Sequence, residues 1–178
     1  MLKQLLQLKL RFYVLTVLLT STSQVYANKP CNDEAYRHFD FWLGSWRVAS
    51  TDGVYQGSNE VRAQEEGCLI VENWTSATGG TGQSYNYYNP EQAHWRQLWV
   101  NQGAIIDYAG NLNSDGAMHL AGHITYQQNR TKIPFRGTWR KLADNTVEQK
   151  LEQFNQETKQ WDIWFLGIYH PQLSQEQP

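Results

Sequence analysis

Seven side chains along this sequence have the mix of types that small-molecule chemistry uses. Glu72, Asn86, Gln97, Arg136 and Gln149 offer charge and hydrogen bonds, and Trp74 and Trp99 offer flat apolar walls. On an extended strand, residues two apart lie on one face. Glu72 then shares a face with Trp74, Ser84 with Asn86 and Tyr88, Trp95 with Gln97 and Trp99, Arg136 with Thr138 and Arg140, and Val147 with Gln149. Turned inward, these faces would line a pocket with apolar bulk for affinity and a few polar groups for orientation. Three readings stay open. The pocket binds a small, partly apolar molecule without catalysis. Alternatively it is an enzyme of isomerase or hydrolase type, with Glu72 as base and Arg136 stabilising charge. In the third, packed tryptophans fill the interior of a structural or interaction domain. Apart from these three, Glu72 and Arg136 either meet a ligand or pair with each other inside the barrel, as buried charges do.

Other chemistries find less support in the spacing. His119 and His123 share a face of a predicted strand but stand about 13 Å apart along it, too far to share an ion whose ligand bonds are about 2 Å. His38, His94 and His170 are scattered, and His170 beside Pro171 lacks the glycine-rich signature that would accompany a haem-holding histidine. Ser84, in Gly82-Gln-Ser-Tyr-Asn86, misses the second glycine of the nucleophile-elbow turn. Asp107 is a second inward candidate, although acidic side chains are rarely buried without a partner. No metal and no cofactor is expected.

Such residues need a scaffold to bring them together. Turn-forming residues recur at short, fairly even intervals: Thr51-Asp-Gly53, Glu66-Gly67, Thr78 to Gly82, Asn89-Pro-Glu91, Asn101-Gln-Gly103, Asn113 to Gly116, Gln127-Gln-Asn129, Ala143-Asp-Asn145 and Asn155 to Lys159. The segments between them, such as His94 to Val100 and Trp161 to Tyr169, are rich in aromatic and β-branched residues. No helix-length window carries an apolar stripe at 3.6-residue spacing. The pattern predicts an all-β domain of about ten strands. Consecutive hairpins without exposed edges favour a single antiparallel up-and-down barrel. Ahead of it, Asp33 is placed to cap a short N-terminal helical turn carrying Ala35 and Tyr36. Trp46, in Gly44-Ser45-Trp46, can plug one end, with glycine letting the preceding turn lie close. The last strand reads as apolar on both faces, with Trp161, Ile163 and Phe165 on one and Trp164, Leu166 and Ile168 on the other. It would need a second cover, either the Phe39-to-Leu43 block or another copy in a homodimer.

Residues 1–27 read as a leader. Lys3, Lys9 and Arg11 precede the apolar run Phe12 to Leu19, and a polar stretch leads to Val25-Tyr-Ala27, the order of a secretory signal cleaved after a small residue. The run is too short to span a bilayer, which takes about 20 residues. The domain would then be 28–178, periplasmic or secreted, with no stable membrane anchor after cleavage. The leader takes three of the 15 Lys and Arg and none of the 17 Asp and Glu, leaving a net charge of about −5. Without a basic cluster, neither nucleic acid nor an anionic membrane is an expected partner; a small-molecule ligand is. Export would place Cys31 and Cys68 where a disulfide persists, with two separate buried thiols as the alternative.

The Gly44-x-Trp46 placement resembles the calycin superfamily of lipocalins and fatty-acid-binding proteins. A longer series resembles a bacterial family of exported calycin-like proteins: Phe39 to Trp46, Gly67-Cys-Leu-Ile-Val-Glu-Asn-Trp74, Gly82-x-Ser84-x-Asn86, Gln97-x-Trp99-Val100, Met118-x-Leu120-x-Gly122, Arg136-x-Thr138-Trp139, Val147-x-Gln149 and the Trp161-to-Tyr169 strand. The resemblance implies a barrel with an internal cavity and carries no reaction with it. Gln153 and Asn155 depart from it, standing where acidic or serine positions are usual. In a bacterial setting, the glycosylation-like triplets Asn73-Trp-Thr75 and Asn129-Arg-Thr131 read as chance.

Overall fold

The computed structural model describes residues 29–172, and the leader read at 1–27 lies outside them. Ten strands follow one another around a closed antiparallel barrel. They are β1 (Gly44–Ala49), β2 (Tyr55–Gln64), β3 (Leu69–Ser76), β4 (Thr81–Asn89), β5 (His94–Asn101), β6 (Ala104–Leu112), β7 (Ala117–Tyr126), β8 (Lys132–Lys141), β9 (Val147–Asn155) and β10 (Gln160–Pro171). Each strand pairs with the next, and β10 returns to β1 with Trp46 opposite Pro171 and Ala49 opposite Ile168. The all-β, up-and-down architecture expected from the turns is the one observed, and it is compatible with a calycin-like fold. Among the described residues no helix is long and apolar enough to cross a membrane.

Strand alternation sorts the side chains as the pleat requires. Val48, Asn59, Val61, Ile70, Glu72, Ser84, Asn86, Trp95 and Gln97 are buried in the interior, while their neighbours Arg47, Arg62, Asn73, Tyr85 and Leu98 are exposed.

One end of the barrel is packed solid. Two short 3-10 turns, Glu34–Arg37 and Asp40–Trp42, lie across it. Phe39 and Trp42 are fully buried and stack with ring centroids 5.0 Å apart, and Phe39 meets Trp139 at 5.3 Å and Trp95 at 5.6 Å. Trp46 Nε1 donates to the Trp42 carbonyl at 3.0 Å and Trp95 Nε1 to the Ala35 carbonyl at 2.9 Å. These bonds spare two indoles the cost of an unpaired buried donor. A disulfide joins Cys31 to Cys68 and staples this lead to the connection between β2 and β3. Arg37 Nη2 reinforces it by donating to the carbonyls of Cys31 at 3.1 Å and Gly67 at 2.6 Å. Asp33 precedes the first turn, but contrary to the expectation its side chain makes no capping bond.

The last strand also differs from its reading. Ile163 pairs with Glu152 and Phe165 with Leu151, so Trp164 is the extra residue of a β-bulge. An inserted residue reverses the alternation. Trp161 and Ile163 therefore share the outer face, whereas Phe165, Gly167 and Tyr169 turn inward. The outer row runs Trp161, Ile163, Leu166 and Ile168, so the strand is apolar on both faces, with the division between them shifted by the bulge. The Phe39-to-Leu43 block plugs the barrel instead of lying outside it, and Ile163 is 60% exposed.

Candidate ligand-binding cavity

Above the plug the barrel is hollow. A cavity of about 580 Å³ reaches the end bordered by the β3–β4 turn, with Ser76 and Gly79 to Thr81, and the β5–β6 turn, with Asn101 to Gly103. Tyr108 and Tyr169 make the floor. Their rings pack downward, on Trp139 at 6.0 Å and Trp42 at 6.5 Å, and their hydroxyls donate to Gln97 Oε1 and Gln149 Oε1. A tyrosine suits this boundary because its body is apolar and its tip needs a partner.

Trp74, Trp99, Trp164 and Phe165, with Ile106 and Leu151, supply the apolar walls. The bulge lets two consecutive residues of β10 meet rings on other strands: Trp164 lies 6.4 Å from Trp99, and Phe165 lies 5.9 Å from Trp74. Trp164 Nε1 donates to the Tyr126 hydroxyl at 3.1 Å, which donates to Gln153 Oε1 at 2.5 Å. Two glycines set the lie of the wall indoles. A Cβ on Gly82 would fall 2.5 Å from Trp99 Cζ2, and one on Gly57 would fall 2.6 Å from Trp74 Cη2. Each indole thus rests over a bare stretch of neighbouring backbone.

Glu72 is the ionisable heart of the site and is 4% exposed. Asn59 Nδ2 donates to its Oε1 at 2.7 Å, and Ser84 Oγ donates to its Oε2 at 2.6 Å. Ser84 Oγ accepts from Asn86 Nδ2 at 2.9 Å, Asn86 Oδ1 accepts from Gln97 Nε2, and Gln97 Oε1 accepts from the Tyr108 hydroxyl. Every bond in the series runs toward the carboxylate. Among the described residues no Lys, Arg or His lines the cavity. Burial pushes the Glu72 carboxyl above its usual range, while the bonds from Ser84 and Asn59 pull it down. Burial, followed by the nearby Glu72, holds the Tyr108 and Tyr169 phenols well above theirs.

Five of the seven residues singled out by type and spacing come together here: Glu72, Trp74, Gln97, Trp99 and Gln149 line the cavity. Asn86 is fully buried behind them, bonded to Ser84, Gln97 and the Ile70 carbonyl. Arg136 is not part of the site. Alternation on β8 buries Phe135, Gly137 and Trp139, leaving Arg136 outside, where its Nε donates to Glu152 Oε2 at 2.8 Å and its guanidinium lies 4.3 Å over the Trp161 ring. Glu72 and Arg136 therefore neither pair nor share a pocket, and the acid–base arrangement built on both is not formed. Asp107 is likewise outside, bonded to Arg96 at 2.6 Å. His119 stands on the outer wall at 3.1 Å from Thr138 Oγ1, and His123 and His170 are exposed. Ser84 matters as a donor to Glu72, a role that depends on strand register and has no local signature. Tyr108, Tyr169 and Trp164 were also missed; only the placement of the cavity floor and the bulge reveals them. No family model matches the chain, and no curated protein matches it in a sequence search.

Proposed function

We propose that this protein is an exported, calycin-like barrel that binds one small, partly apolar molecule in its cavity. The observation that carries the reading is the division of the interior into a solid half and a hollow half. The plug residues Phe39, Trp42 and Trp139 are fully buried and in ring contact with one another, yet about 580 Å³ stays open above them. That volume lies within the range of small-molecule sites, about 300–1,000 Å³. A barrel serving only as structure has no need of this space, nor of a polar floor beneath aromatic walls. The resemblance of the motif series to exported calycin-like proteins supports the same reading, and so does a disulfide, which persists in oxidising compartments.

The test is ligand capture. Protein purified under native conditions is denatured and the released small molecules are identified by mass spectrometry. In parallel, intrinsic tryptophan emission is titrated with fatty acids, quinones, aromatic amines and other aromatic metabolites. Saturable quenching at one ligand per barrel is expected, with Trp74, Trp99 and Trp164 at the walls. No released molecule and no quenching across the panel would overturn the proposal.

A further inference from the structure

Among the described residues, the one carboxyl or cationic side chain that lines the cavity is an acid, Glu72. Glu72 sits among neutral groups: Asn59 on β2, Ser84 on β4, Gln97 on β5, Tyr108 on β6, Gln149 on β9 and Tyr169 on β10. The tyrosines are its titratable neighbours, and burial keeps both as neutral phenols. A buried carboxylate without a cationic partner is expensive, and here none is supplied by the walls. Two lone-pair positions remain on its oxygens after the bonds from Asn59 and Ser84.

The surrounding rings complement that charge. Trp74 lies two residues from Glu72 on the same face of β3, about 7 Å along the strand. Trp99 follows Glu72 and Ser84 in one row across β3, β4 and β5, about 10 Å away at two strand spacings. Indole faces are the strongest aromatic partners for ammonium groups. An anion would meet the opposite: a carboxylate, aromatic walls, and, among the described residues, no basic side chain lining the space.

We infer that the cavity takes an organic monocation, an ammonium group on an apolar or aromatic body, with the head held between Glu72 and the indoles of Trp74 and Trp99. This inference rests on the binding reading above and names the class of ligand. The open volume of about 580 Å³ corresponds to roughly twenty water-sized groups, enough for such a body. The net charge, formally −2 for the whole chain and about −5 without residues 1–27, adds a weak attraction in the same sense.

Three probes with one body separate the alternatives: 4-phenylbutyl-trimethylammonium, 4-phenylbutan-1-ol and 4-phenylbutanoate, each titrated by calorimetry and tryptophan emission. The cation is expected to bind at least about 10-fold more tightly than the alcohol, and the anion more weakly than either. Glu72→Gln is expected to erase the cation's advantage over the alcohol. A measurement on the unaltered protein stands beside the variant. The quaternary head does not titrate, so its affinity is expected to rise with pH as Glu72 loses its proton, while the affinity for the alcohol does not. If alcohol and cation bind equally, or the anion binds best, the cation inference is overturned and the binding reading stands. If none of the three binds and the broader panel also fails, the binding reading falls with it.

Discussion

Ser84 Oγ reaches Glu72 Oε2 at 2.6 Å from the position directly opposite it on the neighbouring strand. The hydroxyl can give its proton to the carboxylate because Asn86 Nδ2, at 2.9 Å, occupies its acceptor side. Asn86 is oriented in turn by the Ile70 carbonyl at 3.0 Å and by Gln97. A chain of this kind polarises in one direction, and its direction suits an ionised Glu72. Burial acts the other way, so the carboxyl is poised between two opposed influences. Asn59 allows for both. Its Oδ1 is buried without a hydrogen-bond partner among the described residues. A half-turn of its amide would present that oxygen to a protonated Glu72.

The first expectation concerns stability and pH. The folded-state value of Glu72 lies above its ordinary value of 4.5. The native state therefore retains a proton that the unfolded chain gives up. The stability linked to this group is fully present below about pH 4.5 and is lost as pH rises through the raised folded value. Glu72→Gln lacks that dependence, and a turned Asn59 amide can accept from the new amide. Across a series of pH values, the melting temperature of the variant should rise relative to the original protein as pH increases from about 4.5. Parallel curves would show that Glu72 titrates as an ordinary carboxyl.

A second expectation concerns the wall. Gly82→Ala places a Cβ 2.5 Å from Trp99 Cζ2, so the indole must rotate. Overpacking of this kind costs about 1–3 kcal/mol, and the wall facing Trp164 moves. Tryptophan emission should shift, and affinity for the captured ligand should fall by about 10-fold. Gly103→Ala is the control on the cavity lip, since the nearest atom its Cβ would meet is Asn101 Oδ1 at 3.8 Å. Equal effects from the two substitutions would remove the role assigned to Gly82.

Turn spacing and alternation made most of this fold legible, because the barrel is a series of local hairpins with a period of two. The same rule brought Glu72, Trp74, Gln97, Trp99 and Gln149 to one interior. It failed at Arg136 because nothing local states which face of β8 turns inward. The decisive fact is that Phe135 and Trp139, on the alternate positions, bury more apolar area. It failed again at Trp164, where a single inserted residue reverses every later position on β10, and a bulge is a matter of pairing rather than composition. The plug was misread for a related reason. The Phe39-to-Leu43 block is apolar enough to cover something, but its length does not reveal whether it lies across the end of the barrel or along its side.

A third expectation follows from Arg136 standing outside. The Glu152 carboxyl is held below its usual range, first by the hydrogen bond from Arg136. A lowered value contributes stability above the ordinary range that is lost as pH falls through the folded value, opposite in sign to Glu72. About a third of the Arg136 side chain is exposed, so solvent screening limits the pair to about 1 kcal/mol or less. Arg136→Ala should lower stability slightly at neutral pH, and the difference should shrink below about pH 4.5. Ligand affinity should not change. A large loss of affinity would place the guanidinium at the cavity after all.

The last expectation separates the staple from the plug. The Cys31–Cys68 bond closes a separation of 37 residues, which in the chain-entropy account stabilises by at most about 3–4 kcal/mol. Replacing both cysteines with serine should lower stability by up to that amount and leave the cavity floor in place, because Tyr108 and Tyr169 are held by packing and by Gln97 and Gln149. Trp42→Ala acts differently. It removes a fully buried ring from beneath Tyr169 and from beside Phe39 and Trp139. Such a truncation costs about 3–5 kcal/mol and undermines the floor itself. Chemical denaturation and ligand titration on the two variants should therefore diverge. The serine variant loses stability and keeps its affinity, whereas Trp42→Ala loses both. If the serine variant loses affinity as well, the disulfide helps to shape the cavity through the plug and is more than a clamp on the unfolded chain.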